Sequence, residues 1–572
     1  MFTSKQIKGI INKLEILPEK EFNSLIKEAK NHGKSIENYL IEKKIISSAS
    51  LYESAAEYFN IPFINLKNQI IRKDILFNIP EPIAFTHQLI AFDKDNSIIK
   101  IATLTPDNLD IFEFINKTTG LEPKIFLTTP DSIKEALQQY HKSLKAEFNN
   151  LQQQDDGNKE DLQKIAEDMP IIRVINTLLE YAIYQEASDI HIEPNEKNIV
   201  VRYRIDGILH NVMELPKTAQ SGIIARIKIL SNLKIDEHRM PQDGRFKICN
   251  KEYKISFRVS IIPTINGEKI VMRLLNEKAQ ILTLEQLGLQ PKSFEAIQRN
   301  IKKPNGMILV TGPTGSGKTT TLYTILNILN TPQINICTVE DPIEYSVPGI
   351  NQSQISAKIG FTFATGLRAL LRQDPDIIMV GEIRDNETAE IAVHAAMTGH
   401  LVLSTLHTND AIGTLSRINR MGVSSFLIAD TTNVIIAQRL VRKICSNCIQ
   451  SYNLDQHGIQ ELKKQFNVNK LLDTLEKEKI ISNSATGFES LLFYRGKGCK
   501  KCDNSGYKGR IGIYEVLEIT EEISEAIFQT IDLNKIQKLA KKQNLATMIE
   551  DGFIKAKNGI TTIEEIIRVA KE

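Results

Sequence analysis

Gly312-Pro313-Thr314-Gly315-Ser316-Gly317-Lys318-Thr319 fits the pattern G-x-x-x-x-G-K-[ST] at every fixed position. The apolar run Met307-Ile308-Leu309-Val310 before it has the length and character of a strand, and Thr320 to Leu329 after it reads as a helix. A strand, a glycine-rich loop and a helix start together form a nest whose backbone N–H groups point inward at phosphate oxygens. In that nest Lys318 reaches the β- and γ-phosphates, Thr319 offers a hydroxyl to Mg²⁺, and Gly312 through Thr320 line the ligand. A glycine-rich turn with no ligand is the alternative. The full motif in its proper context favours a nucleoside triphosphate.

Moving outward, strand-like runs at Ile334 to Val339, Ile377 to Val380 and Leu401 to Leu406 alternate with helical segments. That alternation predicts an α/β domain with a parallel sheet and crossover helices. In open parallel sheets ligands bind beyond the carboxyl ends of the strands. Those ends here are the phosphate loop, Glu340-Asp341-Pro342, Gly381-Glu382-Ile383-Arg384-Asp385 and His407-Thr408-Asn409-Asp410. If the four strands are neighbours, Glu340 and Glu382 are the candidate carboxylates and His407 the candidate γ-phosphate sensor. Helix-capping acids and a plain strand-end histidine are the other readings. His400 opens its strand and belongs at the opposite edge. The third strand ends at Gly381, with its acid one residue later. Mg²⁺ would then be held mainly by Thr319 and phosphate oxygens, with water between it and Glu382.

With 572 residues, the chain has material for about three or four domains. Lys and Arg number 71 against 69 Asp and Glu, which argues against a general nucleic-acid binder. No run approaches the length of a membrane-spanning helix, and the first residues lack a secretory pattern, so a cytosolic chain is expected. Residues 1–145 begin with helices (Ile36 to Lys44, and Ser50 to Phe59 with Ser50 as N-cap). They continue as mixed α/β, with strands at Ser97 to Ala102 and Lys124 to Leu127 and a closing helix from Ser132 to His141. Leu14 to Pro18 breaks an earlier helix. Residues 146–169 read as a flexible polar linker. Residues 170–285 form an arginine-rich α+β domain with a helix from Ile171 to Gln185 and a largely antiparallel sheet. Residues 286–572 are the nucleotide domain. Cys249 and Cys337 read as small buried thiols.

The other four cysteines form two C-x-x-C pairs, Cys445/Cys448 and Cys499/Cys502. Two such turns complete a tetrahedral Zn²⁺ site within a segment of about 440–515. Redox-active dithiols are the rival. Gln460 to Lys479 between the pairs looks like a helical insertion.

Taken in order, these pieces resemble the secretion-type motor ATPases, and among them the type IV pilus assembly (extension) ATPases. The matching stretches are Ala187-Ser188-Asp189-Ile190-His191-Ile192-Glu193-Pro194, Arg202-Tyr203-Arg204-Ile205-Asp206-Gly207, the phosphate loop and Thr338 to Tyr345. Leu371 to Asp385 and Thr398 to Thr408 complete the set. The Gly-Glu ending of the third strand is shared with that family, as is a four-cysteine zinc element.

The resemblance implies a RecA-like P-loop domain, preceded by a PAS-like α+β domain and an N-terminal docking domain, working as a homo-hexamer. It implies ATP and Mg²⁺ as ligands, Glu340 acting on the attacking water and Glu382 supporting the metal. Arg245, Arg258 and Arg273 would be fingers on the phosphates, with surface salt bridges as their other reading and Arg239 a weaker candidate. The implied function is a motor driving pilin polymerisation at the cytoplasmic face of the inner membrane. It would be attached peripherally through a membrane platform protein and other assembly components. The type II secretion ATPase shares this core and is the alternative; a nucleic-acid translocase is disfavoured by the charge balance. Some relatives bind cyclic di-GMP through N-terminal repeats, and Asn31 to Leu40 with Lys44 to Ile46 bears a faint similarity to that pattern.

Overall fold

A computed structural model of the chain describes residues 6–140 and 169–571, apart from 8, 11–18, 32–35, 44, 80–82, 85–86, 138, 250–253, 277–281, 483–486, 503 and 544. The expected break at Leu14 to Pro18, the linker up to residue 168 and part of Asn31 to Leu40 lie outside the described residues. Two compact units emerge, one of Met1–Ile248 with Ser256–Leu274, the other of Cys249–Ile255 with Leu275–Glu572.

The first unit opens with helices Glu19–Asn31, Ile36–Glu42 and Ser48–Phe59. The last of these is capped by Ser47, whose hydroxyl accepts from the Ser50 amide at 3.1 Å. Ser50 is thus the donor in the first turn and not the cap, a correction within the serine cluster Ser47-Ser48-Ala49-Ser50. Strands β1 (Leu89–Lys94), β2 (Ile98–Thr103) and β3 (Glu122–Leu127) make a three-stranded sheet in that order. β1 and β2 are antiparallel; β2 and β3 are parallel, with helix Leu109–Thr119 between them in sequence. The sequence reading missed β1 and this helix.

Helix Met169–Tyr184 leads into β4 (Asp189–Pro194), β5 (Asn198–Ile205), β6 (Ile208–Pro216), β7 (Gln242–Cys249), β8 (Lys254–Thr264) and β9 (Gly267–Asn276). They form a six-stranded sheet ordered β6-β5-β4-β9-β8-β7. Ile190, Ile192, Val201, Tyr203, Phe257, Val259, Ile270 and Met272 alternate inward and are buried. Tyr203 ties the sheet to its helix by donating to the Leu178 carbonyl at 2.6 Å. The intervening residues point to the other face, where Asp189 stands in register between Arg204 on β5 and Arg273 on β9. Cys249, expected to be buried, is exposed at the end of β7.

The second unit holds β10 (Gly306–Thr311), β11 (Ile336–Glu340), β12 (Asn351–Gln354), β13 (Ile377–Val380), β14 (Leu401–Leu406) and β15 (Thr432–Ile444). After these come β16 (Ile449–Asn453), β17 (Leu492–Gly496) and β18 (Tyr507–Glu518). Seven of them form one sheet ordered β12-β11-β13-β14-β10-β15-β18. Six run parallel and β18 returns antiparallel to β15. Every residue of β10, β11, β13 and β14 is buried, as befits strands covered on both faces. One apolar layer joins Ile308, Val310, Ile336 and Leu403 to the helix Lys318–Leu329. The other joins Leu309, Val339, Val380 and Val402 to Asn386–Met397 and Ala411–Arg420.

β15 pairs with β10 only as far as Ala437, while its pairing with β18 continues to Ile444 opposite Tyr507. The last part of β15 thus leaves the sheet in a two-stranded ribbon. The insertion between β16 and β17 holds two helices, Gln456–Gln465 and Val468–Lys477, where the sequence suggested one. Asn467 divides them by capping the second, accepting from the Lys470 amide. Among the described residues no helix is long and apolar enough to cross a membrane.

β18 also carries Glu515, buried, accepting from the Ala411 amide at 2.9 Å. Burial pushes its carboxyl up to about 7, helped by Asp410 and Glu550 and opposed by the amides of Ala411 and Met548. A raised carboxyl means that the folded chain holds a proton the unfolded chain has released. Its stability contribution is complete below the ordinary carboxylate range and is lost as pH rises through about 7. Glu515→Gln, which cannot ionise, is expected to stabilise the second unit more at pH 8 than at pH 5, by about 2 kcal/mol. Melting curves at the two pH values check this; an equal increment at both would refute it.

Candidate active site

The chain enters the phosphate loop from β10 through Gly312, at φ 147°, and leaves through Gly317, at φ 87°. A Cβ on Gly312 would lie 2.4 Å from the Gln438 carbonyl oxygen, so only glycine fits this passage. Lys318 is buried and its Nζ donates to the carbonyls of Gly312 and Pro313 at 2.9 and 3.0 Å. Burial pulls the Lys318 ammonium below its ordinary range, and the nearby Glu382 charge opposes that. Thr319 is half-buried in the first helical turn, and Thr314, Gly315 and Thr320 are exposed. Ser316 Oγ is buried without a hydrogen-bond partner among the described residues. An orphaned hydroxyl, a buried cation and a cradle that a Cβ would fill suit the phosphates of a nucleotide.

The four strands whose ends were expected to converge do lie side by side, in the order β11-β13-β14-β10. Glu382, just beyond β13, has a side chain 12% exposed. Its Oε1 takes Arg384 Nη2 at 2.6 Å and its Oε2 lies 3.5 Å from His407 Nε2. Lys318, Glu382 and His407 thus form one group. His400 sits at the other end of the sheet, its carbonyl accepting from the Gly306 amide.

Glu340 stands at the end of the adjacent β11 and is 3% exposed. Its carboxylate takes three donors: Tyr323 donates to Oε2, and Thr338 Oγ1 and Gln352 Nε2 donate to Oε1 at 2.6 and 3.1 Å. Tyr345 packs edge-on against Tyr323, with ring centroids 4.6 Å apart. Burial pushes the Tyr345 hydroxyl up to about 12, with Glu340 adding to it. The strand end before the third strand's acid is closely packed. A Cβ at Gly381 would come within 3.3 Å of Glu340 Cα, and Thr405 Oγ1 holds the Gly381 carbonyl at 2.7 Å.

Several supporting residues escaped the sequence reading. Gln438 on β15 contacts the phosphate loop, Tyr323 and Gln352 hold Glu340, and Thr408 meets Thr311 across β14 and β10. A carboxamide directly after the apolar run Val434 to Ala437 was the available signal for Gln438. The three candidate arginines lie on the six-stranded sheet of the first unit. Arg245 on β7 is exposed, Arg258 on β8 is half-buried, and Arg273 on β9 pairs with Asp189 at 3.0 Å. Arg239 is exposed in the loop before β7.

Cys445, Cys448, Cys499 and Cys502 converge where the β15–β18 ribbon ends, with all four Sγ atoms within 4.8 Å of one another. The separations are 3.7 Å for Cys445–Cys499, 3.8 Å for Cys448–Cys502 and 3.7 Å for Cys499–Cys502. A disulfide would need about 2.05 Å. A tetrahedron of sulfurs about 2.3 Å from a central Zn²⁺ has edges of about 3.8 Å. The donor set fits a closed metal site.

The Type II/IV secretion system protein family matches residues 164–568, and the MshEN domain matches residues 59–147. The chain is 39% identical to the Type IV pilus assembly ATPase PilB of Pseudomonas aeruginosa across 100% of both chains. It is 45% identical to the Type II secretion system ATPase E of Vibrio cholerae over 72% of this chain and 78% of that one. The X-ray structure of the ATPase DotB of Legionella pneumophila superposes with a TM-score of 0.50 at 21% identity, covering 69% of this chain and 95% of that one. That likeness bears on the fold, and it agrees with a RecA-like core around β10 to β15. Phosphate loop, sheet order and matched length lead to one conclusion: this chain belongs to the Type II/IV secretion system protein family and is an ATPase.

Proposed function

We propose that the chain is the motor ATPase of type IV pilus assembly, converting ATP hydrolysis into pilin polymerisation. The observation that carries this reading is the match to a pilus assembly ATPase along the whole of both chains, where the type II secretion relatives match between 72% and 86% of this one. In the proposed cycle Lys318 neutralises the β- and γ-phosphate oxygens, and Glu382 takes over from Glu340 the role that the resemblance implies for the latter, orienting the attacking water. His407 holds the Glu382 carboxylate toward the loop and contacts the γ-phosphate. Mg²⁺, when bound, spreads the charge of the phosphates, and Thr319 and Glu382 would hold it. Glu340, occupied by three donors, serves chiefly to bind the phosphate-loop helix to β11. Arg245, Arg258 and Arg273 remain the finger candidates. The four thiolates hold Zn²⁺ as a structural ion.

The family resemblance supports a ring of six copies, attached to the cytoplasmic face of the inner membrane through a platform protein. The MshEN match supports placing partner docking or cyclic di-GMP sensing at residues 59–147, downstream of Asn31 to Ile46. Deleting the chain from its native host is expected to remove surface pili and leave protein secretion intact. Electron microscopy and assay of secreted protein check this; lost secretion with pili retained would assign the chain to type II secretion. Turnover dependent on single-stranded DNA would mark a translocase instead.

A further inference from the structure

β15 places a buried carboxamide at the end of an apolar run: Val434-Ile435-Ile436-Ala437 leads into Gln438, which is 1% exposed. A buried amide without partners costs stability, so where its two ends point is informative. Nε2 donates to the Ser316 carbonyl at 2.7 Å, and Oε1 accepts from Thr321 Oγ1 at 2.7 Å. The orientation is chemically fixed, because a backbone carbonyl cannot donate and so must face the amide nitrogen. The Gln438 carbonyl oxygen also closes against Gly312, and Nε2 lies 3.1 Å from where a Cβ on Gly317 would be. One residue of the neighbouring strand therefore meets the phosphate loop at its entry, at its last peptide and at the first turn of its helix.

In a trans peptide the carbonyl of one residue and the N–H of the next point in opposite directions. With the Ser316 carbonyl turned onto Gln438, the N–H of Gly317 is turned away from β15 and into the loop. Backbone N–H groups at that point of such a loop cradle the α- and β-phosphates. We propose that Gln438 is a positioning residue for the nucleotide: it clips the Ser316–Gly317 peptide so that the Gly317 N–H meets the phosphates. Thr321 is the second half of the clip, since its hydroxyl stops the carboxamide from turning. This rests on the reading of the loop as the ATP site.

The α- and β-phosphates are held equally before and during hydrolysis, so the clip acts on binding and little on the chemical step. In the full-length chain Gln438→Ala is expected to raise the KM for ATP and the Kd for ADP about tenfold, with kcat within about twofold of wild type. Thr321→Val, of nearly the same shape, is expected to raise both about threefold. The double variant should be no worse than Gln438→Ala alone, because both changes open the same clip. An unchanged KM in either folded variant, or a fall in kcat at unchanged KM, would overturn the proposal. Should Gln438→Ala fail to fold, Thr321→Val decides by the same readout. If wild type binds no ADP, or Lys318→Ala hydrolyses like wild type, it is the ATP reading that fails. If Lys318→Ala is inactive and the clip variants keep their KM, only the clip fails.

Discussion

Glu382→Gln is expected to lower kcat for ATP about 10²- to 10³-fold while KM stays within about threefold of wild type. The amide keeps the size of the side chain and an oxygen for Arg384. What it removes is negative charge beside Lys318 and the acceptor that holds the attacking water. Both matter most in the transition state, so the loss falls on kcat. His407→Ala, which frees the carboxylate without removing it, is expected to cost about tenfold. Steady-state hydrolysis of the two variants beside Lys318→Ala gives the comparison. If Glu382→Gln keeps a third of wild-type turnover, the role assigned here to Glu382 is wrong and Glu340 becomes the stronger candidate.

Cys499→Ser is expected to abolish stoichiometric zinc and lower the melting temperature of the second unit by about 10 °C. The size follows from geometry. The four thiolates lie on both sides of a long insertion, between β15 and β16 and between β17 and β18, so one ion cross-links segments otherwise joined through two extra helices. Metal analysis of the purified chain and a thermal scan provide the check. Turnover at low temperature should persist, because no thiolate belongs to the phosphate site. Zinc retained at one per chain after Cys499→Ser would rule out the four-thiolate centre.

The parts of this molecule legible in its sequence are those dictated locally. The phosphate loop is a contiguous motif, and β13 is apolar throughout and β14 largely so because both sheet faces are covered. β15 and β18 were not read as strands. β15 contains Gln438, Arg439, Arg442 and Lys443, and its partner lies beyond the insertion. The alternation of β18 is interrupted by Gly509 and Gly512, which obscures its period. At the site, Glu340 and Glu382 could be nominated from their strand ends, but their difference could not. Two of the three donors to Glu340 come from Tyr323 and Gln352, set by the docking of a helix and of an edge strand. The helix cap at residues 47–50 was ambiguous because three serines offer the same hydroxyl, and only the backbone path selects Ser47.

Among the described residues the ribbon of β15 and β18 has no third strand beside it beyond Ala437; near its far end Arg442 N–H donates to Glu565 and Ile444 N–H to the Ile560 carbonyl, and a two-stranded pair by itself is only marginally stable. With a metal ion bound, the four cysteines would act as a rivet through that end. Six intervening residues, about 23 Å of extended chain, separate Cys445 from the Gln438 clip. A splayed ribbon would therefore begin to unravel at the sulfurs and travel inward until it reached the residue that shapes the phosphate loop.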